Sequence, residues 1–394
     1  METSNKLMLA TLFSHTIAVG TFAAVPNTFS AGSPALASEV NENFSQLDSR
    51  LTALEGSESD SYITVEVDCS ENAKALVEAL EGSRNSNAQM EYLISGSCEG
   101  AEIARADVRI DGSGSASITE GEDMDGESLF IDAQSNVRLS NLTLEGTLFV
   151  RNNSNLRLED VTLPTPVISG DEYDPNIYIR TSYLRINSGS IDNLSLLLNR
   201  NASADIRSAV IGNAFQVVAD GNSTLVIQSD TATYDTVEAI GSSFVHSKGS
   251  VLVADDLYAS RGSSIEANSL QVTDFVDIWG NSHLYVQGDV TVGTEGNGRF
   301  NVFQNSAAQV SGNLSAGEME CSNSSSFDVD GDLETRGSLD WAGDAGLAVQ
   351  RGCFGRYGES DSNSLIGGYV IDHHSEVYTP SWAALSESND EEPQ

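Results

Sequence analysis

The 394 residues carry 19 basic and 58 acidic side chains, a net charge of −39, which counts against nucleic acid as a partner because phosphate binding needs clustered Lys and Arg. An anionic membrane surface is disfavoured on the same ground. The apolar set is 39% and 34 Gly bring it into the ordinary globular range, so wholesale disorder is excluded and the chain can bury a core. Such an excess of carboxylate repels itself at low ionic strength and suits a salt-rich exterior.

In chain order, Lys6 precedes an apolar run from Leu7 to Gly20, with small residues at Thr21, Ala23 and Ala24, so a secretory signal peptide is expected over residues 1–24. Ser14, His15 and Thr16 interrupt the run, which is too short for a membrane span, and no later stretch reaches about 18 apolar residues. No span is expected in the mature chain, and the expected location is secreted: extracellular, periplasmic or at the cell surface. Four cysteines fit export, because an even number can pair completely in an oxidising compartment. Three pairings are open; Cys69–Cys98 and Cys321–Cys353 are the economical choice, one pair at each end of the repeats described below. Zinc is discounted, since no CxxC and no His at ligand spacing lies near any Cys.

Residues 25–61 read as a linker and a short helix. Ser38 is a helix start, and Val40, Phe44, Leu47, Leu51 and Leu54 follow at alternating steps of four and three, a short heptad seam. That seam serves either an amphipathic helix on the body or a homo-oligomerising stalk over residues 38–55. The run from Phe29 to Glu55 resembles a segment that follows the signal peptide in many bacterial secreted and tail-fibre-like proteins, which favours the stalk.

From residue 135 a pentad recurs: Ser, any residue, apolar, any residue, apolar. Clear copies start at Ser135, Ser154, Ser182, Ser223, Ser263, Ser282 and Ser325, weaker ones at Ser203, Ser243 and Ser306, with intervals of 19, 28, 21, 20, 20, 20, 19, 24 and 19. A second alternating triplet follows in most copies, as in Leu142-Thr143-Leu144 and Val290-Thr291-Val292, and Gly, Asn, Asp and Ser supply the turns between. A period near 20 with strand patterning predicts an all-β right-handed parallel β-helix, a solenoid of about 20 residues per coil preceded by a short α-helix. About fourteen coils at a spacing of about 4.8 Å would fill residues 62–370. A β-sandwich is the competing architecture.

Residues 62–121 read as an N-terminal cap and first coils: ITVEVDC is a strand, Ser70 caps a short helix over Ala73 to Leu80, and YLISGSC, EIARADVRIDG and SASITEG begin the stack. This resembles the start of pectin-lyase-like right-handed parallel β-helix proteins, where a strand and a helix cover the otherwise exposed end. The β-helix is expected over residues 122–340, a C-terminal cap over 341–385 and an acidic disordered tail over 386–394.

The resemblance transfers no catalytic residue. Polysaccharide-cleaving members carry Asp or Glu calcium ligands beside a basic residue, or several Asp with Gly-His-Gly and Arg-Ile-Lys motifs, and neither motif is present. No cofactor is assigned. Calcium lacks a recognisable motif: Asp328, Asp330 and Asp332 match an EF-hand start, but Leu333 and Leu339 stand where Gly and Glu are required, so the Asp residues read as the wet side of a strand. His373-His374 read as solvated, and His246 and His283 have no partner in register.

One register signal stands out. The residue three after each Ser faces outward, which gives Arg138, Arg157, Arg185, Ile206, Val226, His246, Glu266, Tyr285, Gln309 and Asp328. Residues 136–210 hold seven Arg against eight acidic residues, a net of −1 in a chain of −39. The three Arg either offset Glu145, Glu159 and Asp160, or form a binding stripe for anionic polysaccharide, since guanidinium matches carboxylate and sulfate bidentately. The functional expectation is a non-enzymatic surface, matrix or adhesion element; the alternative is a polysaccharide lyase or glycoside hydrolase with a non-standard site on the solenoid face.

Overall fold

The computed structural model describes residues 62–335, except 87, 105–106, 123, 125, 166–167, 170–171, 188, 208–209, 213, 230–231 and 294–297, and the backbone of four later strands, Leu347–Val349, Phe354–Tyr357, Asn363–Ile366 and Tyr369–Ile371. The expected signal peptide, the heptad helix of residues 38–55, Cys353, His373-His374 and the tail lie outside the described residues.

The described chain winds into a parallel β-solenoid of about 11 turns with about 20 residues per turn. The count falls below the expected fourteen; the strand and helix at the N-terminal end, the antiparallel strands at the far end and the antiparallel pair Ile168–Ser169 with Glu172–Tyr173 consume chain without adding a full turn. Each turn contributes to three strand columns. On the first face Val137, Leu156, Leu184, Ala204, Leu225, Val245, Ile265, Leu284, Ala308 and Phe327 lie in one parallel register, and all are buried. These are the apolar positions of the pentad. The second face carries the expected triplets, with Ala254, Val272, Val292 and Ala316 in register. The pentad does not announce the third face, where Ile131, Val150, Ile179, Leu198, Ala219, Ala239, Ala259, Ile278, Val302 and Cys321 stack inward. Together the three columns fill one continuous apolar core.

The repeated Ser has a structural cause. It stands at the corner between the third and first faces, buried, and its Oγ accepts the amide hydrogen of the equivalent residue one coil earlier. Ser154 Oγ accepts from Ser135 N at 3.2 Å, Ser182 from Ser154 at 3.1 Å, Ser243 from Ser223 at 3.0 Å and Ser306 from Ser282 at 3.1 Å. Two residues with positive φ precede most copies, as at Asn152-Asn153, Gly221-Asn222, Gly280-Asn281 and Gln304-Asn305. Asn and Gly tolerate that left-handed backbone best, which explains their enrichment just before the Ser.

One copy is corrected. The corner position of the fourth coil is Ala202, 1% exposed, and Ser203 is the first strand residue beyond it. Ile206 therefore points inward, fully buried, and the outward residue is Asp205.

The interval of 28 contains an excursion between Leu163 and Asn176 that holds a two-stranded antiparallel pair, Ile168–Ser169 with Glu172–Tyr173. Asn176, 3% exposed, pins its return: its Nδ2 donates to Pro164 O at 2.8 Å and its Oδ1 accepts from Ser195 N at 2.9 Å.

At the N-terminal end Ile63–Asp68 pairs in parallel with Met90–Ser95, and the Cys69–Cys98 disulfide ties the end of that strand to the first coil. The helix runs Ala75–Ser83 and buries Leu76 and Leu80. It starts after the expected Ala73, and Ser70 does not cap it: the Ser70 amide donates to Asp68 Oδ1 at 2.9 Å, while Asn72 Oδ1 accepts from Lys74 N at 3.1 Å. Cys321 is also disulfide-bonded. At the far end Phe354–Tyr357 continues the first face in parallel, after which Asn363–Ile366 and Tyr369–Ile371 add antiparallel strands and end the parallel stack.

Candidate functional site: the arginine face

The outward row of the first face is a ladder of four guanidinium groups. Arg109, Arg138, Arg157 and Arg185 occupy the same position of successive parallel strands, bounded by Glu91 on one side and Asp205 on the other. The sequence locates Arg138, Arg157 and Arg185. Arg109 escapes it because its coil carries no Ser anchor, although the alternation Val108-Arg109-Ile110 is the signal that finds it.

The four are not equivalent. Glu159 lies between Arg138 and Arg157 and accepts from both, with Arg157 Nε to Glu159 Oε1 at 2.8 Å. Arg109 lies over the Tyr62 ring, 3.7 Å from its centroid. One coil beyond Glu159, the position two residues after the ladder is Asn187, so Arg185 has no carboxylate there. Among the described residues Arg185 makes no ion pair, its buried Nε has no hydrogen-bond partner, and neither has the buried Oδ1 of Asn187. The facing carboxylate is committed elsewhere: Asp205 bonds Arg207 Nε at 2.5 Å and Gln228 Nε2 at 2.8 Å. Charge offset thus accounts for Arg138 and Arg157 and stops short of Arg185; among the described residues Glu145 makes no ion pair with the row, and Asp160 accepts from Ser190 N at 2.9 Å instead.

A groove opens beside Arg157 and Arg185. Its volume is about 230 Å³, and Asn153, Asn155, Thr181, Tyr183, Asn201 and Ser203 are among the residues that line it. Asn155, Tyr183 and Ser203 share one outward register two residues before Arg157, Arg185 and Asp205.

Other clusters are weaker. His246 Nδ1 lies 3.9 Å from Glu266 Oε2 in the next coil, so His246 does have a partner in register, against expectation. Phe327 and Val329 are buried while Asp328 and Asp330 face outward, as expected for the wet side of a strand. No group of three or more His, Cys, Asp or Glu is placed to hold a metal among the described residues. On the third face Tyr258 and Asp277 share a register, with Asp256 beside Tyr258. Burial, with the Asp274 charge next, holds the Asp256 carboxyl above its ordinary range, and burial raises Asp277 and Glu320 too. Burial and the neighbouring carboxylates push the Tyr258 hydroxyl up to about 12. No helix among the described residues is long and apolar enough to cross a membrane.

Fold and site define an all-β parallel solenoid with a guanidinium ladder on one face. No protein-family model, curated protein or solved structure matches the chain.

Proposed function

We propose that the protein is an exported, non-enzymatic surface, matrix or adhesion element whose arginine face binds an anionic polysaccharide. The observation that carries this reading is Arg185, a guanidinium in strict register with three others and left without a carboxylate in a chain of net charge −39. An unpaired guanidinium on a nearly neutral strip of an acidic protein attracts the ligand the rest of the surface repels, and its planar fork matches carboxylate or sulfate. Export is supported by the apolar run after Lys6 and by the Cys69–Cys98 disulfide, a bond that persists in oxidising compartments. The strand-and-helix start supports a pectin-lyase-like type of β-helix. The heptads of residues 38–55 support a homo-oligomeric stalk, which would raise affinity for a polymer by multivalency.

Retention on immobilised uronate-rich and sulfated polysaccharides at physiological salt tests the reading. Binding to either class, with none to a neutral glucan, is the expected result; equal retention on all three overturns it.

A second reading, a polysaccharide lyase or glycoside hydrolase, is favoured by Asp256 and Asp277 on the third face, two carboxyls held up by burial beside Tyr258. Incubation with uronate-rich polysaccharides decides between them: new reducing ends or unsaturated-product absorbance that Asp277→Asn abolishes would establish the enzyme.

A further inference from the structure

The groove beside the arginine row exists because one corner is a residue too short. From the last inward residue of the third face to the corner position, Val150 to Ser154 and Leu198 to Ala202 are four steps, whereas Ile179 to Ser182 is three. The corners on either side carry two residues with positive φ, Asn152-Asn153 and Arg200-Asn201, and this one carries Thr181 alone, at φ 49. A β-branched residue in that left-handed region is an outlier and costs energy that the neighbouring coils must hold in place. The chain therefore cuts inside its neighbours at Thr181, and openings on its two sides share Asn153 and Thr181.

What lines the notch is chemically specific. Asn153, Asn155, Tyr183, Asn201 and Ser203 engage no side-chain hydrogen bond among the described residues, in contrast to the nearby Asn152 and Asn199, which bond Asp132 and Asp220. The groove thus offers amide and hydroxyl groups of both polarities and one aromatic ring, with no carboxylate. Immediately along the strands stand Arg157 and Arg185, the latter with its orphan Nε and the orphan Asn187 Oδ1 behind it. Hydroxyl-matching amides, a ring and an adjacent free cation are what an acidic sugar residue requires.

We infer that the Thr181 notch seats one sugar ring of an acidic oligosaccharide, with Tyr183 against the ring, Asn153, Asn155 and Asn201 on its hydroxyls, and Arg185 on its carboxylate or sulfate. This rests on the arginine-face reading and sharpens it: the face supplies attraction along the polymer, and the notch fixes register by holding one unit. A ligand lacking hydroxyl groups would gain only the attraction.

The test uses the full chain and two probes, a hexuronate tetrasaccharide and a sulfated tetrasaccharide, titrated by calorimetry. Inserting one Asn after Thr181 restores the four-step corner and fills the notch while leaving every Arg in place. At least a tenfold loss of affinity for the preferred tetrasaccharide is expected, with retention on the long polymer preserved. Affinity within twofold of the parent overturns the notch and leaves the arginine face standing, whereas loss of polymer binding only in Arg157→Gln and Arg185→Gln chains supports the face alone. Asn201→Ala, an exposed change, and Tyr183→Ala, a half-buried one outside the core, carry the test if the insertion impairs folding: each is expected to weaken the tetrasaccharide by about fivefold or more, and unchanged affinity in both overturns the proposal. Which tetrasaccharide binds names the anionic group.

Discussion

Ser154 Oγ accepts the amide hydrogen of Ser135 across the corner of adjacent coils at 3.2 Å, and this contact is the unit from which the stack is built. The Ser135 amide shares its hydrogen with Asp132 O at 3.2 Å, whereas the buried amides of Ser154, Ser223 and Ser282 have the Oγ of the next coil as their acceptor, so loss of that oxygen exposes a desolvated donor. Ser223 does more: its Oγ accepts from Ala202 N at 3.2 Å and donates to Asp220 O at 2.5 Å. Ser223→Ala is expected to lower unfolding stability by about 1–3 kcal/mol, measured by urea denaturation. A change confined to a few tenths would remove the ladder from the account.

Ala202 is the rung without a hydroxyl. Ala202→Ser places an acceptor opposite the Ser182 amide in the geometry used by the other rungs, and is expected to stabilise the chain by about 0.5–1.5 kcal/mol. Destabilisation in the same urea series would show that this corner has no room for the oxygen.

Glu159→Gln separates the two roles of the arginine row. It releases Arg138 and Arg157, both partly exposed, from their shared and largely buried carboxylate, at a cost of about 1–3 kcal/mol. Affinity for an anionic polysaccharide is expected to rise severalfold, because two more guanidinium groups become available. A fall in affinity would mean that Glu159 holds them in the binding geometry.

Acid response follows from groups of opposite sign. Asp256, Asp277 and Glu320 have folded pKa values raised by burial, so their ionisation opposes folding; the penalty is complete above the folded values and disappears below the ordinary carboxylate range. Asp132 is lowered, burial being outweighed by hydrogen bonds from Ala133, Asn152 and Arg151, so its contribution is present above the ordinary Asp value and lost as pH falls through the folded one. The melting temperature is therefore expected to rise as pH falls from neutrality toward the ordinary carboxylate range and to drop once pH falls below that range. Asp256→Asn should raise it at neutral pH and change nothing once pH lies well below the ordinary carboxylate range; an equal gain in both conditions would refute the assignment to ionisation.

Much of this arrangement is legible in the sequence, and what is not has physical reasons. Arg138, Arg157 and Arg185 can be placed because each follows a Ser whose corner role repeats. Asp205 is misplaced by one residue because Ala202 takes the corner and Ser203 imitates it. The third face is hidden since Phe130, Phe149 and Tyr178 face outward yet stack on one another, 5.3 Å and 4.8 Å between centroids, so the strands lose their apolar and polar alternation. The short corner at Thr181 is masked by the excursion within the same 28-residue interval, which lengthens the coil while the corner shortens it. The helix start shifts because Ser70 and Asn72 lie in turns closed by Asp68 Oδ1 and Asn72 Oδ1, and the helix begins after Lys74 with no side-chain cap.

The most direct measurement is retention of the full chain on the preferred anionic polysaccharide before and after replacing Arg138, Arg157 and Arg185 together by Gln, with folding verified by thermal melting. Loss of retention at physiological salt, with the melt within a few degrees of the parent, is the predicted result. Unchanged retention by the triple variant would contradict the assignment of the arginine face as the binding surface.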